Sequence, residues 1–214
     1  MTMNQLEWQE IPSVHPEKGC VITLHGRGTR GSDLMPLADE LDLPNLRWIF
    51  PDAPFPFPDL LGGFMWYGSR TGNSNGILNS RKLLFDLLDH LIDTEGVSPE
   101  NIALLGFSQG AVMSLDVGLR YPKKMGALIA LSGFLAAPEK LGKEKSVESL
   151  SVPILLAHGT KDEVVSVDGS REAQKTLLEE GYAAELTEYA MGHQIVPEEM
   201  THIREYLQSY LGLP

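Results

Sequence analysis

The chain has 214 residues, enough to bury roughly 70–75% of the surface it exposes when unfolded, so one domain over residues 1–214 needs no staples. Hydrophobic residues make up 43% and charged residues 21%, which excludes disordered and fibrous classes. Acids outnumber bases 29 to 17, and the resulting charge of −12 is spread over both halves, so nucleic acid and anionic membrane surfaces are excluded as expected partners.

The N-terminus, MTMNQLEWQE, has neither a basic nor an apolar leader region. A lone cysteine, Cys20, forbids an internal disulfide and a cysteine-based zinc site. The most apolar run, Met125 to Ala137, is too short to span a bilayer, so no stable membrane insertion is expected. The expectation is a cytoplasmic protein.

In chain order, Leu6–Ile11 reads as an extra edge strand. Apolar runs follow at Cys20–Leu24, Arg47–Phe50, Ile102–Leu105, Ala127–Leu131, Ile154–Ala157 and Ala184–Tyr189. The first five of these runs are nearly continuous, as strands covered on both faces are. Helical patterns lie between them over 80–95, Ala111–Tyr121, Asp168–Glu180 and Pro197–Leu211. Strand–helix alternation predicts an α/β fold with a mostly parallel central sheet and helices on both faces. Pro51–Ser80, which ends in the flexible run Gly72–Gly76, reads as a long functional loop. Pro138–Leu150 reads as a solvated excursion.

Gly106-Phe107-Ser108-Gln109-Gly110 follows an apolar strand and opens a helix. A serine on so sharp a turn projects its hydroxyl above the sheet, and only glycine fits two residues to either side. Such a nucleophile needs a base, and the base an orienting acid. In strand–turn–helix serine enzymes the chain order is Ser, then Asp or Glu, then His. His158, His193 and His202 follow Ser108, and His202 falls in a patterned helix as a surface residue. With His158 as base, the acid would have to come from a helix or the charged excursion. With His193 it can be Asp162, just beyond a strand end, with Glu163 and Asp168 as competitors. Ser108, Asp162 and His193 are therefore the expected triad, and His158 is expected to hydrogen-bond loop backbone nearby. The oxyanion donors are expected at the N–H groups of Gln109 and of Arg27, in the Gly-rich turn after Cys20–Leu24. His25 is expected to shape that turn.

These motifs form an ordered set. His25-Gly26-Arg27-Gly28, Pro51-Asp52-Ala53-Pro54, Met65-Trp66-Tyr67, Gly106–Gly110, Ser132-Gly133-Phe134-Leu135, His158-Gly159-Thr160-Lys161-Asp162 and Gly192-His193 resemble those of the phospholipase/carboxylesterase family of small α/β-hydrolases, from about residue 19 onward. The resemblance implies an α/β-hydrolase fold with no large cap domain. It implies a serine carboxylesterase with that triad and those two oxyanion donors. Acyl-protein thioesterases and lysophospholipases use the same machinery and are the alternatives, and a silent binding domain is the alternative of another class. No metal or cofactor is implied, the partner is a small-molecule ester, and a homodimer is expected from resemblance alone. The thioesterases usually carry Leu where Arg27 stands, Asp where Thr29 stands, and Trp-Phe-Asp where this chain has Trp66-Tyr67-Gly68. Thioesterase specificity therefore does not carry over. Leu61, Met65, Trp66, Phe134, Val164 and Ile195 are the pocket candidates.

Overall fold

The computed structural model describes residues 5–68 and 74–213. Nine strands, β1 (Trp8–Ile11), β2 (Gly19–Leu24), β3 (Leu46–Pro51), β4 (Phe55–Pro56), β5 (Phe64–Met65), β6 (Ile102–Phe107), β7 (Ala127–Leu131), β8 (Ile154–Gly159) and β9 (Ala184–Tyr189), are assigned among them. The helices are α1 (Pro36–Leu41), α2 (Ser74–Asp89), α3 (Gln109–Gly118), α4 (Pro138–Glu144), α5 (Asp168–Glu179) and α6 (Pro197–Tyr210). The main sheet has the order β1-β3-β2-β6-β7-β8-β9. Only β1 runs antiparallel, pairing Trp8–Ile11 with Pro51–Trp48 of β3.

The continuous apolar runs are explained by the pleat. Cys20, Ile22 and Leu24 of β2, with Leu104 of β6 and Leu128 of β7, enter one core layer with α2, α3 and α5. Val21, Leu105 and Ile129 enter the opposite layer with α1 and α6. Successive side chains thus meet apolar partners on both faces. The crossovers bring the loops after β2, β6, β8 and β9 to one end of the sheet, where the expected catalytic residues lie. Among the described residues no large cap domain covers that end, and no helix is long and apolar enough to cross a membrane.

Two segments differ from expectation. Pro51–Ser80 is not one long loop, because β4 and β5 form a small antiparallel hairpin and α2 begins at Ser74. Of the run Gly72–Gly76, residues 72 and 73 lie outside the described residues, and 74–76 open α2. Pro138–Leu150 is not a free excursion either. It forms α4 and a short 3-10 turn (Glu148–Ser151), pinned by the buried Leu141 and by Ser149 Oγ, 2.7 Å from Tyr182 Oη.

Candidate active site

Ser108 stands between β6 and α3 with φ 56° and ψ −117°, a backbone conformation that L-residues rarely adopt. A Cβ at Gly106 would run into the Gly110 carbonyl, and one at Gly110 into the Leu24 carbonyl. The two glycines are therefore required by close backbone approach. The strained turn is held in place by the Ser108 N–H, which donates to the Leu131 carbonyl at 2.9 Å.

His193 and Asp162 meet across two loops. His193 Nδ1 lies 2.6 Å from Asp162 Oδ2, and the Asp162 side chain is fully buried. The other carboxylate oxygen accepts the N–H groups of Val164 at 2.8 Å and Val165 at 2.9 Å. Burial opposes the charge on Asp162, but those two N–H groups and His193 together hold its carboxyl below the usual value. His158 is placed as a support. Its Nε2 donates to the Val165 carbonyl at 3.0 Å and lies 3.3 Å from Asp162 Oδ2, and its Nδ1 is 2.7 Å from Ser170 Oγ. The loops themselves are tied by Thr160 N–H to Tyr189 O and Lys161 N–H to Met191 O. The His193 ring packs on Phe107, with centroids 4.7 Å apart. Its Nδ1 is engaged by the acid, leaving Nε2 as the nitrogen that can exchange a proton with substrate.

The Gly-rich turn after β2 is built around a neutral His25. Nδ1 donates to the Gly26 carbonyl at 2.7 Å, and Nε2 accepts the Ala53 N–H at 2.9 Å. Burial lowers the pKa of this ring, consistent with the neutral tautomer that these bonds require. Asp52 accepts the Gly31 N–H and the Arg30 guanidinium. The hairpin is stitched on through Gly28 N–H to Phe64 O and Phe64 N–H to Thr29 O. Among the described residues, the backbone N–H groups of Arg27 and Gln109 have no protein acceptor, so both are available to a ligand. The Gln109 side chain does structural work. It accepts the Trp66 N–H at 2.9 Å and donates to the Tyr67 carbonyl at 2.8 Å.

A cleft of about 540 Å³ brings Ser108, Gln109, His193 and Arg27 together with Phe57, Asp59, Tyr67, Phe134, Glu163, Val164 and Val165. Of the expected pocket residues, Phe134 and Val164 line it. Four do not. Leu61 is fully exposed at a turn. Met65 lies in β5, outside the lining. Trp66 is completely buried, donating its indole N–H to the His25 carbonyl at 2.9 Å. Ile195 packs into the opposite core layer. Val165, which flanks the acid in sequence, also lines the cleft, as do Phe57 and Tyr67, which the residue pattern does not single out for the pocket. Glu163, a competitor for the acid role, lines the cleft without meeting His193, and Asp168 is bound to Arg171 at 2.9 Å. Cys20 is buried in β2, and burial pushes its thiol up to about 12, which disqualifies it as a nucleophile. Among the described residues no group of three His, Cys, Asp or Glu side chains is arranged to hold a metal ion.

A family model described as Phospholipase/Carboxylesterase matches residues 9–211. The chain is 31% identical to carboxylesterase SOBER1 of Arabidopsis thaliana, over 89% of this chain and 90% of that protein. It is 28% identical to acyl-protein thioesterase 1 of Saccharomyces cerevisiae, over 93% of this chain and 96% of that one. The crystal structure of esterase PE8 superposes with a TM-score of 0.89 at 32% identity, covering 96% of this chain and 99% of that one.

Proposed function

The chain belongs to the phospholipase/carboxylesterase family of α/β-hydrolases, and from that premise we propose a serine carboxylesterase that cleaves short- to medium-chain esters through an acyl-enzyme. Its coarser class is that of hydrolases acting on ester or thioester bonds. The observation that carries the finer reading is the 2.6 Å pair of His193 and Asp162, facing the same cleft as the strained Ser108.

In this reading His193 Nε2 takes the proton of Ser108 Oγ as that oxygen attacks the carbonyl carbon. Asp162 stabilises the imidazolium, and the N–H groups of Arg27 and Gln109 hold the oxyanion. Collapse breaks the ester C–O bond, and His193 passes its proton to the leaving alcohol. Water then repeats the cycle on the acyl-enzyme, releasing the acid. A cleft of about 540 Å³ edged by Phe134 and Val164 suits a modest acyl chain. The thioesterase relatives favour thioesters as a second reading, since the same steps cleave a C–S bond.

The test is the hydrolysis rate of nitrophenyl esters and matched thioesters of increasing acyl length, with Ser108→Ala alongside. The expected result is a maximum at short or medium ester chains and a fall of about a millionfold in kcat for the variant. A variant as active as the parent removes the mechanism. A maximum at long chains, or on thioesters alone, replaces the substrate assignment.

A further inference from the structure

Arg27 enters the reaction above only through its backbone, yet its side chain also lines the cleft. The guanidinium carbon stands 5.1 Å from the centroid of the Phe57 ring, which lines the cleft with it. Its Nε is buried and has no acceptor among the described residues.

The other described arginines are all engaged. Arg30 meets Asp52, Arg47 meets Glu95, Arg81 and Arg120 meet Asp116, and Arg171 meets Glu188. Arg204 donates to the Glu40 carbonyl. Among the described residues Arg27 has no carboxylate within ion-pair distance and no carbonyl acceptor, in a chain with 29 acids and 17 bases. Asp59 and Glu163 line the same cleft but do not reach it. A desolvated N–H without an acceptor is costly, and a guanidinium placed over an aromatic ring is partly ordered in advance for a planar anion.

We propose that Arg27 is a specificity residue whose guanidinium receives a carboxylate carried by the substrate, so that this enzyme prefers esters bearing one such group near the scissile bond. The inference rests on the esterase reading above and names its substrate class. Because the same residue's N–H faces the oxyanion, the anion must lie within one arginine side chain of the reacting carbonyl. Asp59 and Glu163 repel an anion placed elsewhere in the cleft, which makes the preference positional rather than a general taste for negative charge.

The test compares kcat/KM within matched pairs. One pair carries the charge on the alcohol side, para-acetoxybenzoate against para-acetoxybenzamide. The other carries it on the acyl side, the mono-nitrophenyl ester of adipic acid against the nitrophenyl ester of monomethyl adipate. Each enzyme is its own reference, so any disturbance of the oxyanion site by a change at residue 27 cancels in the ratio. In one of the two pairs the anionic-to-neutral ratio is expected to fall about tenfold in Arg27→Met and to be largely kept in Arg27→Lys. A ratio unchanged by Arg27→Met in both pairs overturns the proposal while leaving the esterase reading intact. Failure of the parent enzyme on every member overturns both.

Discussion

The cleft has two walls, and they are fastened in opposite ways. On the acid–base wall, Asp162 is buried and accepts two backbone N–H groups besides His193, while His158 ties the Val165 carbonyl from beneath. Backbone bonds from Thr160 and Lys161 join the acid loop to the segment that carries the base. On the facing rim, the turn from Phe57 to Gly63 closes on its own backbone, leaves Leu60 and Leu61 in solvent and sets Phe57 against an arginine with no counterion among the described residues. The first wall must hold a charge at one distance, so its polar groups are buried and saturated. The rim meets whatever the substrate carries, and few of its own contacts would change if its side chains did. In the proposed enzyme, the acid–base pair and the Phe57–Gly63 rim are thus anchored by separate pieces of chain.

The strongest way to break the comparison is Asp162→Asn. The amide oxygen can still accept the Val164 and Val165 N–H groups, so the loop keeps its shape. Its NH2 then faces His193 Nδ1 as a donor, which moves the ring proton to Nε2 and leaves no base for Ser108. We expect kcat to fall about a thousandfold or more with KM little changed, measured by steady-state kinetics on a short ester. A loss below about tenfold would mean that the tight pair does not govern the base.

A second carboxyl in the same part of the molecule sharpens the comparison by having the opposite sign. Glu199, at the third position of α6, is completely buried, and among the described residues neither of its oxygens has a hydrogen-bond partner. Burial raises its pKa to about 7 from 4.5. The folded state therefore holds this proton more tightly than the unfolded chain does. Its contribution to stability is complete below pH 4.5 and is lost as pH rises through about 7. Asp162 behaves the other way, stabilising above the ordinary carboxylate range and losing that contribution as pH falls through its depressed value. Glu199→Gln should match the parent in mild acid and exceed it by on the order of 3 kcal/mol at alkaline pH, read from urea unfolding. Parallel stability–pH profiles for the two proteins would reject this.

How much of this could be read from residues alone follows from the range of the interactions. The five central strands of the sheet were legible because each buries both faces, and the elbow because its two glycines answer to a local turn. Asp162 and His193, 31 residues apart, were legible only through the order that a triad imposes. The rim was not. Whether Trp66 or Tyr67 faces the cleft is decided by Gln109, 42 and 43 residues away, which grips the backbone of both and turns the indole under His25. No local periodicity records that grip. Ile195, two residues past the base, looked like a pocket residue, but the chain there is already turning into α6, whose apolar side belongs to the other layer. The helix Pro36–Leu41 is too short to show a period.

The smallest expected effect tests the open wall directly. Leu61 has an apolar side chain in a loop of the right neighbourhood, which recommends it for the pocket on composition. Its surface is nonetheless fully in water, next to Gly62 at φ 84°, and it is absent from the cleft lining. Leu61→Ser removes neither a core contact nor a hydrogen bond, so stability should stay within about 0.5 kcal/mol of the parent. The kcat/KM for a short neutral ester should change by less than about twofold, since under transition-state bookkeeping a larger change needs a contact that the geometry does not provide. A loss of fivefold or more would show that the rim folds over bound substrate, and that Leu61 belongs to the pocket during turnover.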